Sequence, residues 1–247
     1  MLRRLKLGAG GWLDVTHDAL GRRTSVVRPN GVRSDWVFDE AGQVTAVLHT
    51  KGGVMVEGFS YTYDAHGLRV SKTRFDGTSE AYGYDAADRL VRVDESNGRS
   101  SQYTLDSVGN RQALVVTQGA QVVTTTSVSN AFNQLVASNR SGGGLPALAT
   151  AYTYDANGNL TSETAGTAVT TYAWDADNRL RQVNQPSLLS SYEYDAHGLR
   201  TKKVEAGVET RFLLDGVSVL AEFDSANVAT RRYLQNPESI DDIYEFS

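Results

Sequence analysis

Acidic and amide side chains recur at nearly constant spacing along this sequence, and carboxylates are groups that can bind Ca²⁺. Ca²⁺ needs several oxygen ligands in one place, whereas these residues mostly stand 20 or 21 positions apart, without an Asp-x-Asp-x-Asp loop. The spacing therefore favours aspartates that form turns, and we predict no metal site. The recurring residues are Asp18, Asp39, Asp64, Asp85, Asp106, Asn130, Asp155, Asp175, Asp195 and Asp215.

Two histidines, His66 and His197, are the next candidates for chemistry. Both stand in the phrase Tyr-Asp-Ala-His-Gly-Leu-Arg, two residues after a repeated aspartate. Asn157 and Asp177 occupy the same slot in other copies. A slot that accepts such different side chains is typical of an exposed turn position and not of a ligand or a catalytic base.

Groups that could act as nucleophiles or paired acids are equally sparse. The chain has no cysteine and no Gly-x-Ser-x-Gly motif. Asp241 and Asp242 are adjacent acids near the last residue, and we interpret them as part of a solvated tail. The sequence therefore predicts no enzyme active site and no cofactor.

The repeated aspartates close a longer phrase in which two aromatic residues flank one other residue. Because the aromatic residues are two positions apart, they point to the same face of a β-strand. The aspartate can accept a backbone N–H two residues on and so begin a turn. The clearest copies are Tyr61-Thr-Tyr63-Asp64, Tyr82-Gly-Tyr84-Asp85, Tyr152-Thr-Tyr154-Asp155, Tyr172-Ala-Trp174-Asp175 and Tyr192-Glu-Tyr194-Asp195, and weaker ones precede Asp18, Asp39, Asp106 and Asp215.

A second signal lies three residues after the turn residue. After the first nine turn residues, that slot holds Gly, Asn or Asp, the residues that best tolerate a positive φ. Its occupants are Gly21, Gly42, Gly67, Asp88, Gly109, Asn133, Gly158, Asn178 and Gly198. Each unit of about 20 residues is therefore predicted to be strand, tight turn, strand and second turn.

One such unit buries too few apolar side chains to offset its chain entropy, so neighbouring units must stack. We predict an all-β fold of antiparallel hairpins that form a long, curved sheet, with the aromatic residues packed on its inward face. The repeat array is predicted to cover residues 1–235, with an insertion at about 138–149 that includes a flexible loop at Ser141–Gly144, and with a tail at 236–247. A β-propeller is a weaker alternative, because each 20-residue unit carries the full signature.

The composition of the chain argues against two classes of binding partner, nucleic acid and membrane. The net charge is −5 and no basic cluster is present, which argues against nucleic acid and against a polybasic membrane anchor. No apolar run reaches the length of a membrane-spanning helix, so we expect no membrane insertion. The first residues also lack an apolar stretch of the length of a signal peptide.

The Tyr-x-Tyr-Asp phrases resemble those of the RHS/YD-repeat family over about residues 12–235. This resemblance implies a strip of β-sheet wound into a hollow shell, and in bacterial members a C-terminal toxin enclosed in a secreted polymorphic-toxin protein. The chain is expected to be a segment of such a shell, or a reduced family member, that ends before the last part of the family core. It is expected to act outside the cell or on its surface, after export as part of a larger protein.

The expected partners are further repeats or a C-terminal effector domain, and a second copy of the chain through exposed strand edges. One alternative from another class remains open. Hairpin repeats of this length also bind glycans or cell surfaces through exposed aromatic rings, and this chain could be such a module. The two functions differ in whether the rings pack within the protein or face a ligand.

Overall fold

The structure, a computed structural model, describes the backbone of residues 2–6, 11–236 and 239–246 and the side chains of residues 4 and 11–233. All regular elements among these residues are β-strands, joined by short turns. No helix in the described part of the chain is long and apolar enough to span a membrane. The predicted all-β fold is confirmed.

The chain divides into two compact units. The first comprises Met1–Thr126 and Ser141–Pro146, and the second comprises Ser127–Arg140 and Ala147–Ser247. The first unit contains β1 (Leu2–Lys6), β2 (Trp12–His17), β3 (Arg23–Val27), β4 (Val32–Phe38), β5 (Val44–Lys51), β6 (Val54–Tyr63), β7 (Arg69–Arg74), β8 (Ser79–Tyr84), β9 (Leu90–Glu95), β10 (Arg99–Leu105) and β11 (Arg111–Gln118).

Three strands contribute residues to both units: β12 (Gln121–Ser129), β13 (Leu135–Gly142) and β14 (Leu145–Tyr154). The second unit continues with β15 (Leu160–Ala165), β16 (Ala168–Trp174), β17 (Leu180–Gln185), β18 (Leu188–Tyr194), β19 (Arg200–Glu205), β20 (Val208–Asp215), β21 (Ser218–Phe223), β22 (Ala229–Asn236) and β23 (Ser239–Phe246).

Successive strands within each unit pair with each other. The pairing is antiparallel from β1 to β12 in the first unit and from β14 to β23 in the second. Sequential antiparallel pairing is what two-strand repeats with short turns can form without crossover connections. The predicted stacking of hairpins is therefore confirmed.

Few side chains are fully buried. Among the described residues, the buried apolar side chains are those of Leu13, Val15, Val26 and Ala221. The aromatic residues of the repeat phrases are half-buried. The rings share one face of their strands, as their two-residue spacing predicts.

Two details of the predicted repeat pattern are wrong, those at Asp215 and at Ser141. Asp215 does not begin a repeat turn: it is the last residue of β20 and pairs with Ser218 across a two-residue turn. Ser141 and Gly142 are not in a flexible loop, since they end β13. Most of the predicted tail forms β23, which pairs with β22. The side chains of Asp241 and Asp242 lie outside the described residues.

Candidate functional site: turn ladder and aromatic face

The repeated aspartates fold the turns by accepting backbone hydrogen bonds. At Asp64, carboxylate Oδ1 accepts the N–H groups of His66 and Leu68, each at 2.9 Å. The Gly67 N–H donates to the Asp64 carbonyl oxygen at 3.0 Å. A β-turn followed by a residue with positive φ is the usual three-residue hairpin connection with a bulge, so the aspartate is a structural turn residue.

The same turn recurs in both units, and we call the row of these turns the turn ladder. Its members begin at Asp18, Asp39, Asp64, Asp85 and Asp106 in the first unit and at Asn130, Asp155, Asp175, Asp195 and Asp224 in the second. The residue three positions later has a positive φ in each case: Gly21, Gly42, Gly67, Asp88, Gly109, Asn133, Gly158, Asn178, Gly198 and Asn227. Sequence reasoning missed the turn at Asp224.

The turn carboxylates also bind side chains of their own turn. In the turn at Asp155, Oδ1 accepts the Asn159 N–H at 2.8 Å and Oδ2 accepts the Asn159 side-chain amide at 2.9 Å. These hydrogen bonds hold the pKa of Asp155 below its ordinary value. No group of three His, Asp or Glu residues suited to a metal ion occurs among the described residues.

The fourth residue after the turn residue connects one turn to the next. The Arg89 guanidinium donates to Asp85 of its own turn at 2.7 Å and to the carbonyl oxygen of Asp106 in the next turn at 2.8 Å. Arg179 makes the same two contacts with Asp175 and Asp195, at 2.8 and 3.1 Å. Successive hairpins are therefore held together at their turns as well as along their strands.

The length of this connecting side chain correlates with the type of residue that has a positive φ in the next turn. A long connecting residue precedes glycine in the pairs Arg22 with Gly42, Gln43 with Gly67, Arg89 with Gly109, Gln134 with Gly158 and Arg179 with Gly198. A shorter one precedes a residue with a Cβ atom in the pairs Leu68 with Asp88 and Asn159 with Asn178. At three of these glycines the reason is space, because an added Cβ would lie 2.9 Å from Gln43 at Gly67, 3.2 Å from Gln134 at Gly158 and 3.3 Å from Arg22 at Gly42. At Gly109 an added Cβ would meet nothing within 4 Å.

The second aromatic residue of each clear phrase also connects neighbouring hairpins, through a hydrogen bond from its side chain to the preceding strand. Its hydroxyl or indole N–H donates to the backbone carbonyl of the first residue of the preceding strand. The pairs are Tyr63 with Val44, Tyr84 with Arg69, Tyr154 with Leu135, Trp174 with Leu160 and Tyr194 with Leu180, at 2.7–2.9 Å. This explains why these positions hold Tyr or Trp and not Phe. The sequence shows Tyr or Trp at these positions, but it does not show which backbone carbonyl accepts the hydrogen bond.

The first aromatic residue is covered by an arginine in some units. Arg69 lies over the ring of Tyr61, with its guanidinium carbon 4.2 Å from the ring centroid. Arg200 lies 5.6 Å from the centroids of both Tyr192 and Phe212. We call the strand face that carries both aromatic positions in each unit the aromatic face. Cation–π contacts of this kind stabilise it and cover ring surface.

Charged groups also lie on the aromatic face. Glu80 accepts the ammonium of Lys72 and the hydroxyl of Tyr82, each at 2.7 Å. Burial, and then the hydrogen bond to Glu80, raise the pKa of Tyr82 to about 12. The hydroxyl therefore stays protonated at neutral pH and serves as a donor, not as a base.

His66 and His197 are exposed at their turns, as predicted. His66 has one further contact: its Nδ1 lies 3.0 Å from Oδ1 of Asp88 in the next turn. This carboxylate raises the pKa of His66 above its ordinary value through a hydrogen bond and charge. The contact is another link between turns, and no nucleophile lies in it.

Together these contacts describe a class of protein: an antiparallel β-hairpin repeat protein whose polar side chains link neighbouring repeats. The family model described as RHS Repeat matches residues 17–55, 84–121 and 154–187, a little under half of the chain. The resemblance to the RHS/YD-repeat family carried by the Tyr-x-Tyr-Asp phrases is thereby confirmed in these three segments.

Two curated relatives are similar over most of this chain. The "tRNA3(Ser)-specific nuclease WapA" of Bacillus spizizenii is 29% identical over 223 residues, which cover 88% of this chain and 9% of the relative. The "tRNA nuclease WapA" of Bacillus subtilis is 29% identical over 227 residues, covering 79% of this chain and 9% of the relative. The chain thus spans about a tenth of their length.

Solved structures support the fold. The structure titled "Crystal Structure of TcdB2-TccC3" is similar with a TM-score of 0.55 and 16% identity, over 91% of this chain and 16% of that one. The structure titled "Crystal Structure of TcdB2-TccC3-Cdc42" gives a TM-score of 0.54 at 16% identity, over 90% of this chain and 15% of that one. At this identity the likeness concerns the fold.

Proposed function

We propose that this chain is a non-enzymatic wall segment of an RHS-repeat shell that encloses or presents a C-terminal effector of a longer protein. The observation that carries the proposal is the use of the repeated polar groups. Turn carboxylates, connecting side chains and second aromatic residues all bind a backbone or side chain of their own or the neighbouring repeat. Such groups build a wall, and they are not arranged to transform a substrate.

The relatives support a toxin context. Both are named as tRNA nucleases, and this chain matches only 9% of each. We assign any corresponding nuclease activity to another part of a longer protein, because the repeat residues that the structure describes present no candidate catalytic group. The same context implies export, so the segment would act outside the cell or on its surface.

Two measurements test this proposal. The reading frame on either side of this chain should encode further repeats and a distinct C-terminal domain, and that domain should resist a protease until the repeats are unfolded with urea. The isolated chain should leave tRNA intact, with a known ribonuclease as the positive control. Cleavage of tRNA by the purified chain would refute the non-enzymatic role, and immediate proteolysis of the downstream domain in the native protein would refute enclosure.

We also propose that isolated copies associate through their outer strands. Among the described residues, β1 pairs only with β2 and β23 only with β22, so each has an unpaired edge that can extend a sheet. Light scattering should show a mass that rises with protein concentration. A constant monomer mass at high concentration would contradict this proposal.

The glycan-binding alternative predicts accessible aromatic faces. Arg69 and Arg200 instead lie over the rings of Tyr61 and Tyr192, and the indole N–H of Trp174 is bonded to Leu160. These contacts favour the structural role. Tryptophan fluorescence titrated with a panel of glycans separates the two, since a saturable change with one glycan class would support the binding module.

A further inference from the structure

Four charged side chains occupy one equivalent position on the aromatic face. They lie directly across the strand pair from the first aromatic residue of a phrase. The pairs are Lys72 with Tyr61, Glu163 with Tyr152, Lys203 with Tyr192, and Glu222 with Phe212. The units with Tyr82, Tyr103 and Tyr172 place an aliphatic residue there, namely Val93, Leu114 and Val183. A charge at this half-buried position is stabilised by a partner of opposite sign.

Three of these four charged side chains have a partner of opposite charge within the chain. Lys72 lies 2.7 Å from Glu80, and Lys203 lies 3.1 Å from Glu205. Glu222 lies 3.6 Å from Arg231 and accepts the hydroxyl of Tyr233 at 2.7 Å. Each of these groups is therefore neutralised from within the chain.

Glu163 is the exception. Within the described part of the chain, no Lys or Arg side chain comes within salt-bridge distance of its carboxylate. Its neighbours across the two adjacent strands are Tyr152 and Thr170. Burial, and then the charge and hydrogen bonding of Glu163, raise the pKa of the Tyr172 hydroxyl. A half-buried carboxylate is thus surrounded by two tyrosines and a threonine.

The first unit shows which chemistry fits this arrangement. There the equivalents of Tyr152, Glu163, Thr170 and Tyr172 are Tyr61, Lys72, Glu80 and Tyr82, by strand register. In that copy an ammonium and a carboxylate share the site with a tyrosine hydroxyl. In the second unit the carboxylate is at the lysine position and the shorter Thr170 replaces Glu80, so the ammonium of the first copy has no counterpart beside Glu163.

We propose that Glu163, with the rings of Tyr152 and Tyr172, binds a lysine ammonium supplied by another polypeptide segment. The carboxylate accepts the charged N–H groups, and the ring faces attract the cation. This site does not depend on the shell role, because it rests on the charge pattern of the aromatic face alone.

The test is a titration of the whole chain with a short, end-blocked peptide that contains one lysine, followed by NMR of ¹³C-labelled tyrosine rings. The Tyr152 and Tyr172 signals should shift in a saturable way, and the shift should weaken as salt is added. A peptide with norleucine in place of lysine is the uncharged control. Glu163→Gln, which keeps the size of the side chain, should weaken lysine-peptide binding by about tenfold.

A second variant makes the test independent of that substitution. Lys72→Met removes the ammonium from Glu80, and it should create a new site for the lysine peptide, seen as saturable shifts of Tyr82. Equal binding of the norleucine peptide, unchanged binding by Glu163→Gln, or shifts that never saturate would each overturn the proposal. Circular dichroism would check that both variants keep the β-sheet signal of the parent chain.

Discussion

The fit between Gly67 and Gln43 leads to a quantitative prediction about the turn ladder. The Gln43 side-chain amide donates to the Gly67 carbonyl oxygen at 3.3 Å, and a Cβ on Gly67 would lie 2.9 Å from the same nitrogen. In Gly67→Asn the new residue tolerates the φ of +81°. Its Cβ must nevertheless displace the Gln43 amide and break the link between the turns.

The magnitude follows from these two effects. Loss of a hydrogen bond of this kind costs about 0.5–1.5 kcal/mol, in addition to the cost of a non-glycine residue at positive φ. Gly77→Asn is the matched control, because Gly77 has a φ of +85° and no atom within 4 Å of the added Cβ. We expect Gly67→Asn to lower the free energy of unfolding by about 1 kcal/mol more than Gly77→Asn does.

A double variant tests the size rule itself. Gln43→Asn combined with Gly67→Asn reproduces the pair Asn159 and Asn178, in which the Asn159 amide donates to Asn178 Oδ1 at 2.7 Å. The double variant should therefore lose less stability than the sum of the single variants, by about 1 kcal/mol. The assay is urea unfolding read as a change in midpoint at constant slope.

Two outcomes would refute this reasoning. If Gly67→Asn costs no more than Gly77→Asn, contact with the neighbouring turn does not require glycine. If the effects of Gln43→Asn and Gly67→Asn add, the two residues are not coupled, and the size pattern along the chain has another origin.

Three further predictions concern separate contacts. Tyr194→Phe should cost about 1 kcal/mol, because it removes a hydrogen bond to the neighbouring hairpin, whereas Tyr192→Phe in the same strand should cost clearly less in the same urea assay. Ala206 has a φ of +50° in a two-residue turn before a glycine, so Ala206→Asn should raise the melting temperature by a few degrees; a lower melting temperature would contradict this. The pKa of His66 is raised in the folded chain, so its contact with Asp88 stabilises the turns fully below the unfolded pKa of about 6.5. This stabilisation is lost as the pH rises through the folded pKa. Asp88→Asn should lower the His66 pKa measured by NMR, and an unchanged pKa would rule the contact out.

The sequence predicted the hairpins well because turn chemistry is local. A turn residue, a residue with positive φ three positions later and two aromatics on one face all fall within one strand and its turn. The errors came from trusting spacing over this chemistry. Asp215 has the expected spacing but Ser218 three positions later, whereas Asp224 breaks the spacing and has Asn227 there. The slot with positive φ is the better indicator of the turn ladder.

Contacts between hairpins could not be predicted in the same way, since they depend on which residues become neighbours only after stacking. The match between Gln43 and Gly67, 24 positions apart, becomes visible once the order of the strands is known.

The half-burial of the aromatic residues has a related cause. Each strand is packed mainly against the strands beside it, so a ring on its face is covered at the edges and remains partly open above. A phenylalanine would gain little there, whereas a tyrosine hydroxyl can reach a backbone carbonyl of the next hairpin. The same openness makes an unpaired charge tolerable at Glu163, because water can solvate the carboxylate until a cation displaces it. A fully enclosed core would have required its partner within the chain.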